Sequence, residues 1–277
     1  MPTPPRTLLV CGGSGFLGSR ICKLASSRNW RVTSLSRSGE PAWDKATPPS
    51  WAKNVNWTKG DVMNPGTYQA ALKDVDAVVH SMGILLEADY KGVLTGKEPL
   101  VAGLKKAFDS TRGGPENTVR AGHAALSYET MNRDTAVTLA EEAVKAKAKS
   151  FLYVSAIDSF ATLPARYITT KREAESIIER IGAKDNMRTI FLRPSFLYDS
   201  SRAITVPLAG ILGVVSAVNG LFGRKLPGLG AAGYKPLAVD DVAGAAVKAL
   251  EDESVSGPVD VDAIQTLAQR VWREGML

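Results

Sequence analysis

Tyr167 and Lys171 form a Tyr-x-x-x-Lys pair, one turn apart on the same face of a helix. A phenol with an ordinary pKa of about 10 is a poor acid or base at neutral pH. An ammonium beside it stabilises the phenolate and is expected to bring that value toward the working range. Ser155 closes the apolar run Phe151–Ser155, twelve residues before Tyr167, where its hydroxyl can hydrogen-bond a carbonyl oxygen receiving a proton. A strand-borne serine followed by Tyr-Lys at a helix start describes proton transfer coupled to carbonyl chemistry.

A second set of residues is built for phosphate. Cys11–Gly18 reads C-G-G-S-G-F-L-G; Gly12, Gly15 and Gly18 fit G-x-x-G-x-x-G, and Gly13, Gly15 and Gly18 fit G-x-G-x-x-G. The pattern directly follows the apolar run Thr7–Cys11 and opens the helical pattern Phe16–Ser26. Glycine there permits a tight turn, close backbone approach to a pyrophosphate and tight helix–sheet packing, while the helix start offers free N–H groups. Gly12, Gly13, Ser14, Gly15, Phe16, Leu17 and Gly18 are therefore candidate dinucleotide contacts. The second strand ends in Ser36-Arg37-Ser38 rather than in an acidic residue. Arg37 can pair with a 2′-phosphate while Ser36 and Ser38 hydrogen-bond it, which favours NADP(H) over NAD(H); a solvated loop arginine is the alternative. Asp61, after the third strand, is placed to accept from the adenine amino group, or is a strand-end turn residue.

These groups need a scaffold, and the chain supplies one. The strand candidates are Thr7–Cys11, Arg31–Ser36, Val55–Gly60, Ala77–His80, Phe151–Ser155 and Thr189–Leu192. Helical patterns over Phe16–Ser26, Thr67–Leu72, Thr135–Ala148 and Thr170–Ile181 fall between them. Alternation of this kind predicts an α/β fold, a Rossmann-like doubly wound parallel sheet with a small C-terminal substrate lobe. Residues 1–198 form the dinucleotide-binding domain, with an insertion at 83–129; residues 199–277 form the lobe, with 236–250 returning to the core. The run Ile204–Phe222 has no charged residue and is followed by Arg224 and Lys225. It reads as a core or substrate-lining helix, a membrane-surface contact through 204–225, or a span; Pro207, its glycines and Asn219 weaken the span.

Composition narrows the setting. The 277 residues, 44% hydrophobic and 22% charged, describe a globular protein and exclude disorder, collagen and disulfide-dense mini-folds. Two cysteines, Cys11 and Cys22, argue against a secreted disulfide framework, and no Cys/His cluster has metal-ligand spacing. The net charge of +6 favours acidic partners. Its basic residues are scattered without an aromatic-interleaved patch, so no nucleic-acid partner is expected. His80 and His123 read as structural. Only Met1–Arg6 precedes the first folding signal, leaving open a cytoplasmic protein, a leader absent from this chain, or an internal import signal.

The chain resembles the short-chain dehydrogenase/reductases, in particular their extended and atypical branches. The resemblance covers most of the chain. It rests on Gly12–Gly18, Gly60-Asp61-Val62, Val78-Val79-His80-Ser81, Asn132, Ser155, Tyr167 with Lys171, Arg193-Pro194 and the run from Pro236 to Ala243. It implies that Tyr167 is the acid/base, that Lys171 also binds the nicotinamide ribose, that Ser155 polarises the carbonyl, and that Asn132 supports the site. It adds Val62, Ser81, Gly83 and Pro194 to the cofactor-binding set. The branch containing the Rossmann-type accessory subunit of respiratory complex I is the more similar one, and within it fungal mitochondrial proteins associated with coenzyme Q biosynthesis. Two departures stand out: segment 83–129 is long, and Tyr198-Asp199 stands where many extended members have Tyr-Gly.

The resemblance implies an NADP-dependent oxidoreductase acting on an apolar, quinone-related or polyprenyl-aromatic substrate. Its location would be mitochondrial, on the matrix side of the inner membrane, with a protein complex of coenzyme Q synthesis as partner. Members of this branch also serve as non-catalytic NADP(H)-binding accessory or assembly subunits, and that alternative stays open.

Overall fold

The computed structural model describes residues 5–41, 43, 47–83, 127–158, 165–199 and 234–275. Nine strands occur among them: β1 (Thr7–Cys11), β2 (Arg31–Ser36), β3 (Val55–Lys59), β4 (Ala77–His80), β5 (Ser150–Val154), β6 (Arg188–Leu192), β7 (Leu197–Tyr198), β8 (Leu237–Ala238) and β9 (Gly257–Val259). Seven make one parallel sheet in the order β3-β2-β1-β4-β5-β6-β9, and β7 pairs with β8. The α-helices are α1 (Phe16–Ser27), α2 (Thr135–Lys145), α3 (Ala165–Asp185), α4 (Val239–Glu251) and α5 (Val261–Glu274).

The strands read as continuous apolar runs because helices cover both sheet faces. Along β1, Leu8 and Val10 join one core with Ile21, Val242, Ala246 and Leu267. Leu9 and Cys11 join the other, with Leu139, Ala143, Phe151 and Ile178. The period-2 alternation of strand side chains thus divides the core between α1, α4 and α5 on one face and α2 and α3 on the other. β1 lies between β2 and β4, so the winding reverses there and leaves a crevice outside the carboxyl ends of β1 and β4.

Three expectations shift. Over Thr67–Leu72 the chain forms two short 3₁₀ turns, Pro65–Thr67 and Gln69–Leu72, because Tyr68 between them is anchored by its hydroxyl to the Val62 carbonyl at 3.1 Å. The helix expected at Thr170 starts at Ala165, which places Tyr167 and Lys171 both on α3. The return to the core expected over 236–250 continues to residue 274, because β9 adds to β6 and α5 buries Val261, Ile264, Leu267 and Ala268.

Arg28 ties three helix ends together. Its guanidinium donates to both Glu251 carboxylate oxygens at 2.7 and 2.8 Å and to Glu274 at 2.7 Å. All three side chains are partly solvated, so Arg28→Ala is expected to cost about 1 kcal/mol, read as a lower urea midpoint at unchanged slope.

Candidate nucleotide and catalytic site

The glycine turn sits at the crevice. Gly12 has φ +83°, a left-handed conformation, and its N–H donates to the Leu35 carbonyl at 2.8 Å. A Cβ at Gly18 would lie 2.2 Å from the Gly12 carbonyl oxygen and 2.7 Å from Ser81 Oγ, so the first turn of α1 packs against the loop with no side chain between them. No side chain caps the start of α1 and no acidic residue stands in its first turn. Ser14, Gly15 and Phe16 retain solvent exposure beside buried Leu17 and Gly18. Ser34 Oγ is buried beneath Gly13 without a hydrogen-bond partner among the described residues. An uncapped helix N-terminus behind a side-chain-free loop fits the pyrophosphate of a dinucleotide.

The other nucleotide candidates surround this turn. Ser36 ends β2, donates to the Gly39 carbonyl at 2.8 Å and lies 3.4 Å from Ser38 Oγ. Arg37 and Ser38 are exposed, and Arg37 makes no ion pair among the described residues. Exposed Asp61 follows β3, and one of its carboxylate oxygens accepts the Met63 N–H at 3.1 Å, while Val62 is buried. Ser81 donates to the Cys11 carbonyl at 2.8 Å, joining the ends of β4 and β1. Through Ser81, the loop that would hold phosphates meets the loop that leads to the catalytic candidates.

A Cβ at Gly83 would lie 3.0 Å from Asn132 Oδ1 and 3.1 Å from Lys171 Nζ, so Gly83, Asn132 and Lys171 converge. Asn132 is fully buried in a π-helical turn, Glu129–Asp134, that runs into α2. Its carbonyl accepts the Tyr153 hydroxyl. Lys171 Nζ donates to the Val154 carbonyl at 2.9 Å and stands 4.7 Å from the Tyr153 ring centroid and 6.0 Å from that of Tyr167. The Tyr167 ring is buried edge-on against Tyr128 at 5.7 Å and packs on Ala156. Ser155 is held by its N–H to Leu192 at 2.7 Å. The Pro194 carbonyl accepts the Ile157 N–H at 3.0 Å, which carries Pro194 to the same end of the sheet.

The electrostatics correct one expectation. Burial, with some opposition from Glu175 and some help from Arg172, lowers Lys171 from 10.5 to about 7. Burial raises the Tyr167 phenol above its ordinary range, and neighbouring Tyr128 adds to the effect. Spacing predicts a phenolate favoured by the lysine; desolvation outweighs that effect and holds the Tyr167 phenol in its protonated form at neutral pH. His80 is fully buried and burial holds it down to about 3, with Lys171 contributing. Thr135 Oγ1 donates to Met131, so it accepts from His80 Nε2 at 3.0 Å and the ring is neutral.

Spacing did not flag a network on α3. Arg172 donates to Ser155 Oγ at 3.1 Å, to the Ala156 carbonyl at 2.8 Å and to Glu175 at 2.7 Å; Glu175 also pairs with Arg193. The only sequence signal was Arg172 and Glu175 standing three apart on one helix. Asp199, at the Tyr-Gly departure, is buried and pairs with Arg20 of α1. Among the described residues no group of His, Cys, Asp and Glu could hold a metal ion, and no helix is long and apolar enough to cross a membrane. The interior of segment 83–129 and the run 204–225 lie outside the described residues.

A parallel sheet wound in both directions, with a glycine turn after its first strand, is a Rossmann-type dinucleotide-binding fold. Residues 12–211 match the model of a family described as NAD(P)H-binding, and the chain belongs to that family. Its relatives include MIOREX complex component 2 of Saccharomyces cerevisiae, 37% identical over 209 residues, covering 70% of this chain and 74% of that protein. Among solved structures, UDP-N-acetylglucosamine 4-epimerase from Bacillus cereus superposes with a TM-score of 0.56 at 17% identity, covering 92% of this chain and 77% of the other. Vestitone reductase from alfalfa gives a TM-score of 0.54 at 16% identity, covering 92% and 76%. These two likenesses are of fold.

Proposed function

We propose that the protein is an NADP(H)-dependent reductase of the carbonyl group of an apolar substrate, a quinone or polyprenyl aromatic of coenzyme Q biosynthesis. One observation carries this reading: a protonated Tyr167 one turn from a buried Lys171, beside Gly83 and Asn132 in the crevice that the glycine turn also borders. Bound NADPH supplies the hydride to the carbonyl carbon. The C=O electron pair moves to oxygen, which takes the Tyr167 proton. Ser155 hydrogen-bonds the same oxygen. Lys171, lowered to about 7, is suited to passing a proton back to the phenolate. Arg37, Ser36 and Ser38 favour NADP(H), because an exposed guanidinium can bind a 2′-phosphate through two parallel bonds.

A second reading is a non-catalytic NADP(H)-binding subunit of a mitochondrial complex. It is favoured by the yeast relative's designation as a complex component. Both readings share mitochondrial placement, from the family resemblance, and a membrane contact through 204–225, from the uncharged run Ile204–Phe222 followed by Arg224 and Lys225.

The test is nicotinamide absorbance with decylubiquinone as the probe. NADPH-linked turnover is expected, with NADH far slower. Tight NADP⁺ binding with no oxidation would overturn the reductase and support the accessory subunit. In calorimetric titration, Arg37→Ala is expected to weaken NADP⁺ binding about 10- to 100-fold and to leave NAD⁺ within about twofold. Equal losses for both nucleotides would remove Arg37 from the 2′-phosphate site.

A further inference from the structure

We propose that Arg172 is a positioning residue that fixes the Ser155 hydroxyl as a hydrogen-bond donor and backs it with positive charge. The inference rests on the reductase reading and deepens it, because it names the feature of the substrate that the site stabilises.

The donor–acceptor inventory carries the first step. A serine hydroxyl has one O–H and two lone pairs, whereas a guanidinium only donates. At 3.1 Å from Arg172 NH1, Ser155 Oγ must therefore accept, and its own proton is left for another partner. The backbone that carries Ser155 is fixed: its N–H is tied to Leu192 at 2.7 Å and the next residue's carbonyl to Arg172 NH2 at 2.8 Å. One guanidinium thus grips both Ser155 and Ala156, at the end of the strand that carries the site.

Charge carries the second step. Glu175, 5% exposed, receives Arg172 at 2.7 Å and also Arg193. Two guanidiniums share one buried carboxylate; the further carboxylates facing Arg193, Asp260 at 3.9 Å and Asp158, are solvated and so screened. The trio keeps a positive excess on the Ser155 side. A cation behind a hydroxyl strengthens it as a donor, as in other charge-assisted hydrogen bonds. Hydride arrival at a carbonyl carbon puts negative charge on the oxygen, and a donor fixed in advance stabilises that charge without reorganising. The substrate class that gains most is one whose oxygen becomes anionic during reduction: a ketone or quinone carbonyl.

The experiment is a double-variant cycle on the full chain, with NADPH and decylubiquinone. Arg172→Gln is expected to lower kcat about 10- to 100-fold, to change KM little, and to leave NADP⁺ affinity within about twofold. In a Ser155→Ala background the same change is expected to cost nothing further, because Arg172 acts through Ser155. Added guanidinium ion is expected to restore part of the rate to Arg172→Ala but none to Ser155→Ala. Additive losses in the cycle, or an unchanged kcat, would overturn the role of Arg172 while leaving the reductase intact. A wild-type protein that binds NADPH yet never oxidises it with the quinone overturns the reductase, and this inference with it. Should Arg172→Ala fail to fold, as judged by circular dichroism, Arg172→Gln carries the test, since it keeps a polar amide on α3 but neither the charge nor the reach to Ser155.

Discussion

Tyr167→Phe is expected to lower kcat for NADPH-linked reduction about a thousandfold while leaving NADP⁺ affinity within about twofold. The substitution keeps the ring, and so keeps its edge contact with Tyr128 and its packing on Ala156. It removes only the hydroxyl, which makes no hydrogen bond among the described residues, so none of those residues loses a partner. The fold should therefore survive, and thermal unfolding should confirm it. Burial keeps the phenol protonated, so on the proposed reading the lost group is the proton donor to a developing oxyanion. Single-turnover mixing of enzyme-bound NADPH with decylubiquinone is the measurement, since it isolates the chemical step from product release. An unchanged rate would show that the proton comes from another group.

Lys171→Met is expected to raise stability near neutral pH and to flatten its dependence on pH. Lys171 titrates at 10.5 in the ordinary state and at about 7 where it is buried. Between those values the unfolded chain holds the extra proton, so wild-type stability rises with pH from about 7 and levels off above about 10.5. At pH 7 the burial costs up to about 4 kcal/mol by the conversion of pKa differences to free energy. Methionine removes that cost but strips the Val154 carbonyl of its donor, worth about 1–2 kcal/mol. A net gain of about 2 kcal/mol at pH 7 should fade, then reverse, as pH approaches 10.5. Urea titrations across that window decide it: parallel pH profiles for the two proteins would mean that Lys171 stays charged in the folded state.

How far such features are legible in the sequence depends on what they are made of. Thr7–Cys11 and Ala77–His80 are strands in the sequence and in the fold, because burial on both faces demands unbroken apolar runs. The glycine turn is legible for the same local reason: its chemistry is in its own backbone. β9 is not, since Gly257-Pro258-Val259 is three residues long and is a strand only by pairing with β6. Tyr167 and Lys171 are recognisable as a pair from their spacing. Which of two opposed electrostatic effects prevails there depends on depth, and depth comes from Tyr128 and Tyr153, distant in sequence from one or both. The bond from Arg172 to Ser155 crosses seventeen residues between a helix and a strand end, and no periodicity encodes it.

The late position of α4, β9 and α5 in the chain has a consequence for biosynthesis. A ribosome that has completed only residues 1–199 has made six of the seven strands of the main sheet but only α1 of the three helices that cover one face. Leu8, Val10 and Ile21 then have no Val242, Ala246 or Leu267 to close over them, and β6 presents an open edge. The nascent chain passes through a sticky, half-covered intermediate before α4, β9 and α5 emerge. Holdase chaperones would meet it in that form, and closure would come only with α5.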